Sequence, residues 1–137
     1  MSKVLDKRAA PEEVPSLTAD TRRHILVIDD MRTYNANDGR HYTYARTFDK
    51  GLTAVMDWMD GIQSFDEIWL DHDLGIDPDP WNAERTQTIR PIVLWLVEEA
   101  LIFNRIRSST KFRLITSNPV GRDWMRSQLE KWYEVYV

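Results

Sequence analysis

The amino-acid sequence predicts an α/β fold built on a mainly parallel five-stranded sheet. Short apolar runs typical of buried strands alternate along the chain with segments of helical periodicity, which is the pattern of this class. Two of these runs end in the acidic strings Asp29-Asp30 and Asp71-His72-Asp73. Because the carboxyl ends of parallel strands open onto one crevice, we expect these carboxylates to converge there.

The first predicted strand is His24–Ile28, a continuous apolar run typical of a strand covered on both faces. The polar segment Met31–Gly39 is predicted to be a loop, and Arg40–Ala45, with alternating tyrosines, a second strand. A parallel crossover normally takes about a dozen residues or more, and this link is shorter. We therefore expect the first crossover helix to be shortened or lost.

Three helices and three further strands complete the prediction. The helices begin after the N-cap Thr47, at Pro91, and after the N-cap Asn118, which is followed by Pro119. The first of these helices is expected to end near Gly61. The further strands are predicted at Phe65–Leu70, Phe112–Ile115 and Tyr133–Val137.

The composition fits one globular domain. The chain has 137 residues, of which 42% are hydrophobic and 29% charged, and this is enough for one core. We assign the domain to residues 24–137. Residues 1–23 mix charges with two prolines and lack periodicity, so we predict a flexible N-terminal arm there.

The composition and net charge also argue against several classes of function. The absence of cysteine rules out a disulfide framework and a thiolate metal site. The net charge of −4 argues against sequence-blind wrapping of nucleic acid, so any RNA contact should be local. The chain has no apolar stretch of membrane-spanning length, no secretory signal and no Gly-rich nucleotide loop. We therefore predict a cytoplasmic protein with no membrane association and no organic cofactor.

The clustered carboxylates suggest a metal site. Asp29, Asp30 and Asp71 are the candidate ligands, and their oxygens suit a hard cation such as Mg²⁺. The alternative is that aspartates at strand ends cap helices or form Asx turns.

His72 is the candidate proton carrier, with Asp71 and Asp73 on either side of it in the sequence. Neighbouring carboxylates stabilise an imidazolium, so His72 could act as a general acid or base on a phosphate ester. The alternative is a histidine whose ring only holds the loop by a hydrogen bond.

The segment Thr116–Arg122 is a strand end that leads into a helix N-terminus, where free backbone donors favour an anion. The candidate phosphate-binding residues are Thr116, Ser117, Asn118 and Arg122, together with Arg32 beside the first acidic pair. Helix capping by Asn118, with Arg122 in solvent, is the alternative.

The three motifs Asp29–Arg32, Leu70–Gly75 and Thr116–Arg122, in this order, resemble those of the cyclic-phosphate processing receiver-like domain. This family occurs in bacterial and phage proteins and is a divergent relative of response-regulator receivers. The resemblance covers the chain from about Ile25 to its C-terminus. It implies a flavodoxin-like, receiver-like three-layer sandwich. It also implies a role on the 2′,3′-cyclic phosphates of RNA ends or nucleotides in RNA processing.

The resemblance also carries residue roles from ordinary receivers. There the acidic pair matching Asp29 and Asp30 binds Mg²⁺, and the aspartate matching Asp71 accepts a phosphoryl group. A hydroxyl residue matching Thr116 or Ser117 senses that group. Such receivers have a lysine at the end of the last strand, whereas this chain has none after Lys131. Phosphorylation switching is therefore the least favoured function.

Two hypotheses follow for the function. The first is a phosphodiesterase that binds and hydrolyses a cyclic phosphate on a nucleotide or RNA end. The second is a non-catalytic module that binds a nucleotide or a protein, such as a phage-encoded modulator of host processes. The sequence does not distinguish an oligomeric state.

Overall fold

The computed structural model describes residues 21–35, 37–75 and 88–137, and all five predicted strands lie within them. The strands are β1 (Arg23–Ile28), β2 (Arg40–Ala45), β3 (Glu67–Leu70), β4 (Lys111–Leu114) and β5 (Val135–Tyr136). They form one sheet in the order β2-β1-β3-β4-β5, and every pairing is parallel. The predicted α/β class and receiver-like, flavodoxin-like sheet are confirmed.

The register brings the carboxyl ends of the three central strands to the same level. Ile28 of β1 pairs with Leu70 of β3, and Leu70 pairs with Leu114 of β4. The ladder continues one residue further, because the Asp71 N–H donates to the Ile28 carbonyl at 3.0 Å. Side chains that follow these strands therefore emerge at one edge of the sheet.

Three helices lie where the sequence predicts them: α1 (Phe48–Met59), α2 (Arg90–Leu101) and α3 (Pro119–Leu129). Thr47 caps α1 by accepting the Lys50 N–H at 3.2 Å, and Asn118 caps α3 by accepting the Gly121 N–H at 3.0 Å. Proline occupies the first turn of both α2 and α3, where its missing N–H costs nothing.

The main core lies between the sheet and the three helices. Apolar side chains of all three helices pack on one sheet face, around Leu26, Ile68 and Phe112, which are fully buried. At its centre the buried Trp58 of α1 donates its indole N–H to Thr110 Oγ1 at 3.1 Å. This packing fixes the helix N-termini relative to the strand ends.

The opposite sheet face is covered differently. Ile25, Val27 and Trp69 form its buried centre, and partly buried side chains pack on them, among them Tyr34, Tyr42, Tyr44 and Ile115. Tyr34 comes from the link between β1 and β2, whose described residues form turns and bends rather than a helix. The predicted loss of the first crossover helix is confirmed for these residues.

The predicted N-terminal arm, residues 1–23, falls largely outside the described residues. Of the proposed arm, only residues 21–23 are described, and Arg23 is already the first residue of β1. None of the helices in the described ranges is long and apolar enough to cross a membrane.

Candidate functional site

The strand ends surround a cavity of about 500 Å³, which we call the acidic crevice. It is lined by Asp29, Asp30, Met31, Arg32, Asp71, Asp73, Gly75 and Ser117. These residues come from the segments that follow β1, β3 and β4. The structure therefore brings the three sequence motifs together at one place.

Asp29 is fully buried and is held by its own loop. Its Oδ1 accepts the N–H groups of Met31 and Arg32, at 2.9 and 3.1 Å. Burial by itself raises the pKa of Asp29, but these hydrogen bonds and the Arg32 guanidinium outweigh burial and hold the pKa below its usual range. Asp29 is therefore a fixed, charged carboxylate.

Arg32 supplies the positive charge inside the crevice. Its Nη1 lies 2.7 Å from Asp29 Oδ2 and 3.3 Å from Asp71 Oδ2. Behind it, the Arg46 guanidinium donates to the backbone carbonyls of Asp29 and Arg32 and so braces the turn. The predicted phosphate-binding arginine thus pairs with two of the predicted metal ligands.

Asp71 is buried among like charges. Burial raises the pKa of Asp71 and the charge of Asp29 adds to it, whereas the Thr116 hydroxyl and Arg32 offset only part of the shift. Asp29, Asp30 and Asp71 each offer an oxygen within 4.8 Å of the others. This spacing suits a cation with oxygen ligands.

Asp30 lies at the open side of the crevice, and none of the described residues donates a hydrogen bond to it. Gly75 passes very close to it, since a Cβ at Gly75 would lie 2.8 Å from Asp30 Oδ2. Gly75 also has φ +71°, a left-handed conformation that favours glycine. The glycine therefore leaves the Asp30 carboxylate room to point into the crevice.

His72 lies beside the crevice rather than on its wall. It is 5% exposed and packs against the backbone of α3, where any Cβ at Gly121 would clash with the imidazole. Its Nδ1 is 2.9 Å from Asp73 Oδ1, and its Nε2 accepts the Arg90 Nε–H at 2.9 Å. Both ring nitrogens therefore have protein partners, Nδ1 the Asp73 carboxylate and Nε2 the Arg90 guanidinium.

Asp73 connects His72 to the crevice. Its side chain is 56% exposed, lines the crevice and accepts the Asn118 amide at 3.2 Å through Oδ2. The hydrogen bond with His72, helped by that of Asn118, holds the pKa of Asp73 below its usual range. His72 and Asn118 together fix the direction of this carboxylate.

The predicted phosphate-binding residues separate into two groups. Ser117 lines the crevice, and the buried Thr116 contacts Asp71 through its hydroxyl, while Asn118 caps α3. The Arg122 guanidinium is 3.9 Å from Asp123 and does not line the crevice. Arg122 therefore occupies the solvent-side position that the capping alternative describes.

Sequence reasoning missed two arginines that shape the site. Arg90 stacks over the Trp124 ring at 4.4 Å while it donates to His72, and Arg46 braces the Asp29–Arg32 turn. Arg90 directly precedes Pro91 at a helix start, which was the one sequence signal that it would lie near a strand end. Arg46 directly precedes the N-cap Thr47 and gave no comparable signal.

A comparison with known protein families identifies the family to which this chain belongs. Residues 24–131 match the family described as the cyclic-phosphate processing receiver domain. The chain belongs to this family. No curated protein and no solved structure matches the chain. As a cyclic-phosphate processing receiver domain, it has the family's receiver fold, and the described acidic cluster could bind a metal ion, as in receiver domains.

Proposed function

We propose that the acidic crevice binds the cyclic phosphate of a nucleotide or RNA end and hydrolyses it in the cytoplasm. One observation carries the proposal: three acidic side chains offer oxygens within 4.8 Å of one another, and Ser117, just before the N-cap of α3, lines the same cavity. Carboxylates for a cation and donors for a phosphate therefore share one space. The family match to cyclic-phosphate processing supports this ligand class.

The charge of the crevice requires a cation before a phosphate can bind. Four carboxylates and one guanidinium line the cavity, so a free phosphate anion would be repelled. Burial, and after it the charge of Asp29, raises the pKa of Asp71 in this cavity. Asp29, Asp30 and Asp71 would hold Mg²⁺, which supplies positive charge and a bound water of lowered pKa.

The phosphate would lie on the wall formed by α3. Ser117 offers a hydroxyl there, and Asn118 and Thr116 fix the backbone that carries it. Arg32 is 37% exposed, so it can turn from Asp71 towards a bound phosphate while its backbone stays braced by Arg46. Ser117 and Arg32 are therefore the proposed phosphate-binding side chains.

Hydrolysis of a 2′,3′-cyclic phosphate forms one bond from phosphorus to water oxygen and breaks one bond to a ribose oxygen. The water loses a proton and the ribose oxygen gains one. Asp73 is the crevice carboxylate placed to accept the first proton, because it faces the cavity and is held by His72. We propose that His72 acts as a positioning residue for Asp73.

The test is turnover of 2′,3′-cyclic adenosine monophosphate, with product followed by chromatography, in Mg²⁺ and in EDTA. We expect Mg²⁺-dependent release of the monophosphate. Asp30→Asn should lower the rate at least about 100-fold, since it removes a proposed metal ligand. Asp123→Asn, whose side chain is 80% exposed and outside the crevice, is the matched control and should keep the wild-type rate.

The role of His72 has its own readout. His72→Asn can still donate to Asp73, whereas His72→Ala cannot, so Asn should retain more kcat than Ala at similar KM. Wild-type turnover in His72→Ala would remove His72 from the mechanism. The proposed hydrolysis would be refuted if the wild-type protein hydrolysed neither the cyclic nucleotide nor an RNA with a cyclic phosphate end.

A non-catalytic binding module is the second candidate, and one observation favours it. Both nitrogens of His72 already have protein partners, Asp73 and Arg90, and His72 does not line the crevice. This alternative predicts that the cyclic nucleotide raises the melting temperature of the protein in Mg²⁺ without any product being formed.

A further inference from the structure

A second cavity, of about 230 Å³, lies at the β2 edge of the sheet. Its lining consists of three tyrosines, two arginines, one histidine and one threonine, and it contains no carboxylate among the described residues. We call it the tyrosine cavity, after Tyr34, Tyr42 and Tyr44. These tyrosines belong to the sheet face that no described helix covers.

The tyrosine rings are nearly parallel. Tyr34 and Tyr42 stack with ring centroids 5.5 Å apart and planes inclined by 23°, and Tyr42 and Tyr44 do so at 6.1 Å and 24°. The Tyr34 N–H donates to the Tyr44 hydroxyl at 2.8 Å, which fixes the loop over the strand. All three side chains are only partly buried. A planar, apolar-faced group that entered this cavity would lie against partly buried aromatic rings, which favour such a group.

The surroundings of the cavity are locally basic although the whole chain is acidic. Arg40 lines it with a 43% exposed side chain that also lies 3.6 Å from Asp38. Arg46 stacks over the Tyr44 ring at 4.2 Å, and no described carboxylate pairs with it. Arginine beside stacked aromatic rings is complementary to a base with its phosphate.

The tyrosine cavity and the acidic crevice share one short loop. Arg32 lines the crevice, Tyr34 lines the cavity, and the backbone between them spans at most about 7 Å. Arg46 holds the loop between the two sites, because it donates to the Arg32 carbonyl and, at 3.0 Å, to Thr33 Oγ1. Consecutive nucleotides of one strand can therefore reach both sites.

We propose that the tyrosine cavity binds a nucleobase of single-stranded RNA by stacking, next to the nucleotide whose phosphate enters the acidic crevice. The ligand of this domain is then an RNA strand end rather than a free mononucleotide. The base site stands on its own geometry, and its link to a cyclic phosphate rests on the proposed function.

The experiment measures fluorescence anisotropy of a fluorescein-labelled oligoadenylate of six nucleotides with a 3′-hydroxyl end, using the full chain. Tyr34→Leu keeps the apolar contact with Trp69 but removes the aromatic ring, and we expect binding about 10-fold weaker. Tyr34→Phe keeps the ring and should bind within about twofold of wild type. Equal melting temperatures of the two variants will show that the fold is intact.

A second variant tests the base site independently, in case Tyr34→Leu does not fold. Arg40→Gln should weaken binding at low salt and reduce the dependence of affinity on salt by about one ion. Wild-type affinity in both Tyr34→Leu and Arg40→Gln would overturn the base site. So would equal binding of a labelled hexaglutamate peptide, since that would show attraction of negative charge without stacking.

The same oligoadenylate with a 2′,3′-cyclic phosphate separates the two proposals. Asp30→Asn should abolish any Mg²⁺-dependent preference for the cyclic end over the hydroxyl end. Loss of that preference with no effect of Tyr34→Leu would overturn the base site alone. Tyr34-dependent binding with no cyclic-end preference in the wild type would overturn the proposed function alone.

Discussion

Strand β3 has a buried carboxylate at each end, and the two carboxylates differ in the donors that surround them. Glu67, its first residue, is approached by Trp69 Nε1 at 2.9 Å, Arg23 Nη2 at 3.0 Å and the Tyr136 hydroxyl. Asp71, just after its last residue, shares one arginine with Asp29 and has Asp30 nearby.

The two carboxylates differ in pKa because their donors differ. Burial by itself raises the pKa of Glu67, but the hydrogen bonds from Tyr136, Trp69 and Arg23 outweigh burial and lower it. Burial also raises the pKa of Asp71, and there the Thr116 hydroxyl and Arg32 do not compensate. A carboxylate with enough donors stabilises the fold, whereas one with too few marks a place where a ligand can supply the charge.

Glu67→Gln should give the largest change in stability, because it removes the charge that three donors share. We expect the free energy of unfolding to fall by about 2 kcal/mol in urea denaturation. Glu134→Gln is the matched control, since Glu134 forms only an exposed pair with Lys111 at 3.5 Å and should cost less than about 1 kcal/mol. Equal losses in the two variants would contradict a structural role for Glu67.

Asp71→Asn should have the opposite sign in metal-free buffer. It removes a buried charge whose donors do not compensate for burial, so we expect the free energy of unfolding to rise by about 1 kcal/mol. The same variant should lose any stabilisation of the wild type by Mg²⁺, measured as a shift in melting temperature. A lower stability of Asp71→Asn without metal would mean that Arg32 already balances the Asp71 charge.

The smallest effect is the dependence of these differences on pH. The lowered pKa of Glu67 means that its contribution to stability is present above the unfolded-state pKa and is lost as pH falls through the folded-state pKa. The raised pKa of Asp71 means that its penalty is present at neutral pH and disappears as pH falls through the folded-state pKa.

Urea titrations of wild type and both variants between neutral pH and acid will measure these trends. Both differences from wild type should shrink towards acid, from opposite signs. A difference for Asp71→Asn that grows as pH falls would refute the raised pKa.

The fold and the acidic triad could be predicted because they depend on local patterns and on one rule of topology. Apolar runs mark the strands, and Thr47 and Asn118 mark helix starts by their capping chemistry. Once the strands are parallel, Asp29 and Asp71 must emerge at the same edge.

The partners of individual side chains could not be predicted in the same way. Whether His72 faces the crevice or α3 depends on how closely the Gly121 backbone approaches it, which no local pattern encodes. Arg32 follows β1 and Arg122 lies in the first turn of α3, yet only Arg32 lines the crevice. Helix phase and rotamer decide such cases, and both are set by tertiary packing.

The connection between β1 and β2, whose described residues form no helix, also has a consequence for protein engineering. A helix grafted into this connection would shield Trp69 and close off the aromatic face, while the acidic crevice would stay open. Under the two proposals above, such a chimera is expected to turn over small cyclic nucleotides and to bind RNA strands more weakly. The length of RNA that the domain binds would then depend on whether a helix fills the connection between β1 and β2.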